Sequence, residues 1–166
     1  MHLGKGLVLF AIFVSCAAGF VWSTSLRLPK SVASHFGSSG FANGYMPHDF
    51  YVYFMLAFVI GLPTLLVFLT LLALANPKAR INLPNKDYWL APARRAETVA
   101  FLRAGVLWFG VMLVVLLCYA HWLVVLANEA QPVRLAESWL ISGLLVFVAA
   151  TLIWLTMLFG HFRRAA

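Results

Sequence analysis

Four residues in this chain have the types to hold a metal ion or to move a proton: His35, His48, Asp49 and His121. Imidazole nitrogens joined by a carboxylate make a zinc or copper set. His35, His48 and Asp49 share one polar stretch, residues 28–49, LPKSVASHFGSSGFANGYMPHD. His121 stands in an apolar run further on, with Glu129 and Glu137 beyond it. A glycine-rich segment separates His35 from His48, so the spacing imposes no geometry of the kind an HExxH helix does. The other reading of His35 is packing beneath the loop, its ring bonded to backbone. A titratable group in an apolar helix often faces a bundle interior and marks a functional position. Tyr119 and Trp122 beside His121 suit an interfacial belt as well. No cofactor is expected, because the chain has no P-loop, no glycine-rich dinucleotide motif and no recognisable Ser–His–Asp context. No apolar run carries an acidic residue at mid-depth, which argues against a transporter or pump with a carboxylate relay.

The elements that must position these groups belong in a membrane. The chain has 166 residues, 63% hydrophobic and 10% charged. A soluble domain carries about a quarter charged residues. A water-soluble fold of this size cannot hide so much apolar surface, so lipid is its solvent. The net charge of +7 is spread between apolar runs. It reads as membrane topology, and no nucleic-acid partner is expected. Cys16 and Cys118 both lie inside apolar runs and read as small buried hydrophobes.

Four apolar runs each approach the roughly 20 residues a bilayer crossing needs: about 7–25, 50–74, 93–127 and 138–159. The first follows Lys5 and is long for the apolar core of a signal peptide, so it is read as a transmembrane helix. Gly61 and Pro63 sit within the second, where Pro63 predicts a kink near residues 59–63. Ala11, Ser15, Gly19 and Ser23 form a small-residue stripe suited to helix contact, and Ser138, Ser142 and Ala149 suggest a similar face. The loop 76–95 is basic and interrupted by Pro77, Pro84 and Pro92, with Tyr88 and Trp89 at headgroup level. It is expected to lie along the membrane surface.

Lysine and arginine counts set the orientation. Lys5, Lys78, Arg80, Lys86, Arg94, Arg95, Arg103, Arg163 and Arg164 fall on one side, and Arg27, Lys30 and Arg134 on the other, nine against three. The expectation is one all-α integral membrane domain over residues 1–166, with four transmembrane helices and both termini cytoplasmic. A structured outer loop, 26–49, joins the first pair of helices, 7–75; the cytoplasmic loop 76–95 leads to the second pair and basic tail, 96–166.

Gly37, Gly40 and Gly44 allow tight reversals, and Asn43-Gly44 is a turn signal. The loop is therefore expected to fold into a compact cap, with Leu28, Val32, Phe36 and Phe41 against the bilayer or helix ends. The pattern Leu28-Pro29, His35-Phe36, Gly40 and Asn43-Gly44 resembles the bacterial membrane family catalogued as domain of unknown function 1648, over roughly residues 7–75. In that family two helices flank an "LP…HF…G…dG" segment, with aspartate often at the place of Asn43. This chain departs from the pattern at Met46, Pro47, His48 and Asp49. Some relatives look like immunity proteins against secreted peptide toxins.

The resemblance implies a bacterial inner-membrane location and adds little chemistry. The leading functional expectation is a non-enzymatic accessory subunit, regulator or immunity-type factor. It would act through helix packing and its outer loop, with a membrane-protein partner or a second copy of itself. A small channel, carrier or small-molecule binder, with a cavity between the second and third helices, is the first alternative. A metal-binding protein or enzyme using the outer histidines is the second.

Overall fold

The computed structural model describes residues 3–77 and 79–163. Lys78 and Arg164, both counted in the charge asymmetry, lie outside the described residues. The elements in chain order are α1 (Leu3–Ser25), β1 (Ser31–Phe36), β2 (Ala42–Pro47), α2 (His48–Ala75), α3 (Lys86–Trp89), α4 (Arg95–Glu129) and α5 (Glu137–Arg163). Among the described residues, α1, α2, α4 and α5 are the four helices long and apolar enough to cross a membrane. Leu145, Val146 and Met157 of α5 are 64–70% exposed. Water would not tolerate such a continuous apolar face; lipid does. The protein is a small, all-α, membrane-embedded bundle carrying one two-stranded hairpin.

α4 is the helix around which the others pack, touching α1, α2 and α5 and also β1. Its interior face includes Leu107, Gly110, Val111, Val114 and Leu117. Gly110 permits the close approach: a Cβ there would stand 2.6 Å from Val67 Cγ2 of α2 and 2.8 Å from Phe10 Cε2 of α1. Tyr119 of α4 lies against Gly143 of α5 and donates its hydroxyl to Trp139 O at 2.7 Å. α5 is otherwise little covered, with Phe162 near its end as its buried residue.

Two expectations about packing change. Ala11, Ser15, Gly19 and Ser23 are exposed, and α1 instead buries Gly6, Phe10, Ala17, Val21 and Ser25. The contact face is chosen by what fits α4, where Phe10 fills the space beside Gly110, and not by small size alone. Ser138, Ser142 and Ala149 are exposed too, and Gly143 is the small residue α5 uses. α2 runs from His48 to Ala75 without interruption, with Pro63 inside it and fully buried.

The basic loop closes over the opposite end of the bundle. Leu83, Leu102 and Phe162 form a second small core there. Asn85 and Trp89 donate to the Phe162 carbonyl at 3.2 and 2.9 Å, and Asn85 also reaches Arg163 O at 3.2 Å. These bonds satisfy carbonyls that the last turn of a helix leaves without partners. Arg94 lies over the Tyr88 ring at 3.8 Å, and Arg95 donates to Pro77 O at 2.8 Å.

Candidate functional site

The polar stretch between the first two long helices forms an antiparallel hairpin, which explains its glycines. Ser31 pairs with Pro47, Val32 with Met46, Ala33 with Tyr45 and His35 with Gly44. The turn is closed by Gly37 N–H to Phe41 O at 2.9 Å and Gly40 N–H to Gly37 O at 2.9 Å. Gly40 has φ +76°, and a Cβ on it would stand 2.6 Å from Leu135 O. Across the strands, a Cβ on Gly44 would stand 2.9 Å from His35 Cβ. β2 shows a period of two, with Asn43, Tyr45 and Pro47 exposed and the residues between them partly covered.

The hairpin is fastened to the bundle at several points. His48 N–H donates to Lys30 O at 3.0 Å and closes its base. Asn128, in the last turn of α4, accepts from Ala33 N–H at 2.9 Å and donates to Ala33 O at 3.0 Å. Its amide thereby completes the backbone bonding of a residue that is fully buried. Arg27, just past α1, holds Glu129 of α4 through two contacts, 2.6 Å from Nε and 2.8 Å from Nη2, and lies over Trp122. The link between α4 and α5 joins in: Leu135 N–H donates to Gly40 O at 2.8 Å, and Arg134 Nε to Ser39 O at 3.1 Å. The cap is thus two loops bonded to each other and to three helix ends.

Below the cap, one polar chain crosses the apolar core. His121 of α4 is fully buried. Its Nδ1 lies 2.9 Å from the Tyr51 hydroxyl of α2, and its Nε2 lies 2.8 Å from Thr24 Oγ1 of α1. Thr24 Oγ1 also donates to Phe20 O at 2.6 Å. A hydroxyl has one proton to give, so for a neutral imidazole one order of donors follows. Tyr51 donates to Nδ1, Nε2–H donates to Thr24, and Thr24 donates to the Phe20 carbonyl. The imidazole is neutral in this arrangement, and every member is satisfied. The Tyr51 ring stacks on His121 at 5.8 Å between centroids, and Phe20 meets it edge-on at 6.1 Å.

The four candidate metal ligands are therefore engaged in different ways. His48 points Nε2 at Ser25 O, 3.0 Å, and Nδ1 at Asp49 Oδ1, 2.9 Å. Both partners are acceptors, so the ring making both bonds is the imidazolium form. His121 has both nitrogens bonded inside the core. His35 is exposed on β1 with Nδ1 3.2 Å from Ser34 Oγ, not packed beneath the loop, because the register sets it opposite Gly44. Among the described residues, no three His, Cys, Asp or Glu side chains are grouped to hold a metal ion.

The remaining motif residues serve the cap. Leu28 is buried against the core, Pro29 is exposed beside it, Phe36 is half-buried, and Asn43 is exposed on β2. Phe41 is 47% exposed and stands under the Arg134 guanidinium at 5.0 Å, so it meets the α4–α5 link and not the helix ends. Sequence reasoning missed Thr24, Tyr51 and Asn128. A threonine and a tyrosine near the ends of apolar helices carry no local signal of a shared partner. Asn128 had one usable sign, a buried-capable amide in the last turn of an apolar helix.

A cavity of about 410 Å³ opens beside the polar chain. It lies under Ser34 and His35, between Phe54 and Phe58 of α2 and Ala120 and Val124 of α4. This is the interhelical space expected between the second and third long helices, though Pro63 does not line it.

No match to the chain was found among protein-family models, curated proteins or solved structures.

Proposed function

We propose that this is a non-enzymatic accessory subunit, regulator or immunity-type factor of a bacterial inner membrane, which works by presenting its hairpin cap on the extracytoplasmic side. The observation that carries the reading is the fastening of the cap. Asn128, Arg27 and the α4–α5 link hold the hairpin in one place. The bonded cap keeps Phe41 and Tyr45 exposed, at 47% and 58%. Large aromatics carried on a backbone already fixed in one place are what recognition sites use, because little loop-ordering entropy remains to be lost on binding. The polar chain supports the same reading. Its members are bonded to one another, a structural tie between three helices.

The nine-to-three charge asymmetry supports the orientation. The LP–HF–G–NG spacing supports membership of the family it resembles, and with it the bacterial inner membrane and the toxin-immunity type of role.

The test combines side and contact. A cysteine at Ser38, on the hairpin turn, is labelled by a membrane-impermeant maleimide in intact cells. A photo-crosslinking residue at Phe41 or Tyr45 then captures one membrane-protein partner in fixed stoichiometry, while the same residue at Leu145 captures lipid. A protein that purifies as a partnerless monomer and turns over a substrate overturns the proposal.

A further inference from the structure

We propose that the cavity under the hairpin binds a neutral, single-chain amphiphile: a long hydrocarbon or isoprenoid chain ending in one uncharged hydroxyl or carbonyl group. This goes beyond the role of the cap and stands whichever side of the membrane the hairpin faces. The volume, about 410 Å³, falls within the roughly 300–1,000 Å³ of small-molecule sites.

The two ends of the cavity differ in chemistry. The hairpin end carries the Ser34 hydroxyl and the His35 ring, 3.2 Å apart. From Phe50 to Phe58 the α2 wall descends about 12 Å, at 1.5 Å rise per residue. That wall is aromatic, with Phe54 and Phe58 stacked at 5.7 Å and 14°. Ala120 on the facing α4 wall contributes little bulk, which leaves room for a chain between the helices.

The polar chain decides which groups a ligand meets. Tyr51 and His121 both reach the cavity wall, but their bonds run to each other and to Thr24. Ser34 and His35 remain. His35 Nε2 has no protein partner among the described residues, and it takes either a donor or an acceptor according to its tautomer.

Charge selects against a phospholipid. Among the described residues no Lys, Arg, Asp or Glu lines the cavity. A phosphate at the hairpin end would find no lysine or arginine in the lining to receive it. The groove of about 570 Å³ between α4 and α5 differs in kind. Its hydroxyls, Tyr119 and Ser142, donate to Trp139 O and Ser138 O. Its lining is otherwise almost wholly apolar, with the indoles of Trp108 and Trp139 among it; it suits ordinary lipid chains and serves as the internal control.

The experiment uses the full chain in phospholipid nanodiscs. The probe is hexadecanol carrying a mid-chain diazirine, with the matching hexadecyl phosphate as the charged arm. The alcohol is expected to label residues 50–58 and 117–124 saturably, and excess plain hexadecanol displaces it. The phosphate labels the same residues about tenfold more weakly, the scale of ~1.4 kcal/mol. Ala120→Trp, which fills the cavity, abolishes the labelling. Should that variant not fold, the paired change Ser34→Ala and His35→Ala, on the hairpin surface, weakens the alcohol several-fold at an unchanged unfolding midpoint. Labelling that does not saturate, or that falls equally on Leu145, Met157 and the α4–α5 groove, overturns the proposal. So does a phosphate that labels as well as the alcohol.

Discussion

Asn128 bonds both backbone groups of Ala33, accepting from its N–H at 2.9 Å and donating to its carbonyl at 3.0 Å. One side chain near the end of α4 thus stands in for a neighbouring strand along the covered edge of β1. The pair joins segments 95 residues apart in the chain.

Asn128→Ala leaves both Ala33 groups buried without partners. Each orphaned group costs about 1–3 kcal/mol. The expected result is a lower unfolding midpoint in detergent and faster hydrogen exchange at the Ala33 amide, with exchange in the middle of α4 unchanged. Asn128→Asp keeps the acceptor for Ala33 N–H but sets a carboxylate oxygen against the Ala33 and Val124 carbonyls that the amide donates to, so it is expected to be no milder than Asn128→Ala.

The Tyr51–His121–Thr24 chain predicts coupling. Tyr51→Phe removes one bond to His121 and is expected to cost about 0.6–1.7 kcal/mol, the range of interhelical hydrogen bonds in membranes. His121→Leu alone costs more, because it strands the Tyr51 hydroxyl in the core. The double variant is expected to lose less than the sum of the two. A double-mutant cycle on unfolding free energy reads that difference directly; simple additivity would mean the two side chains do not act together.

Gly40 and Gly37 make a matched pair at the hairpin turn. Gly40→Ala forces a side chain onto φ +76° and to within 2.6 Å of Leu135 O. The strained backbone alone costs on the order of 1 kcal/mol or more. Gly37→Ala meets its nearest atom at an ordinary 3.6 Å and is expected to change stability by less than about 0.5 kcal/mol. Thermal unfolding of the two variants separates a conformational requirement from mere composition.

Gly110 and Gly19 do the same for the membrane core. Gly110→Ala pushes a methyl group against Val67 and Phe10, and the overpacking is expected to cost about 1–3 kcal/mol. A Cβ on Gly19 meets nothing within 4 Å, so Gly19→Ala leaves the unfolding midpoint nearly unchanged. Equal losses at both positions would place the α1 contact face on the small-residue stripe after all.

Much of the fold was legible because lipid imposes length and apolarity on any helix that crosses it. The runs at 7–25, 50–74, 93–127 and 138–159 match the four long helices to within a few residues at most ends. The glycine spacing in 28–49 announced a folded cap, and Gly40 proves to need its positive φ. His121 announced itself as a polar group in an apolar helix. Its partners did not, because Thr24 and Tyr51 lie on other helices, 97 and 70 residues away in the chain.

The division has a physical cause. Solvent transfer acts on each segment separately, so sequence alone determined that this chain has four apolar helices and one structured polar link. Packing acts between segments, through the shapes and hydrogen-bonding atoms that two helices bring to one place. Only the tertiary structure could therefore decide that α1 packs through Phe10 and Val21 and leaves its small stripe exposed. It decided in the same way that Asn128 completes β1, and that His121 is tied to Tyr51 and Thr24 beside an open cavity.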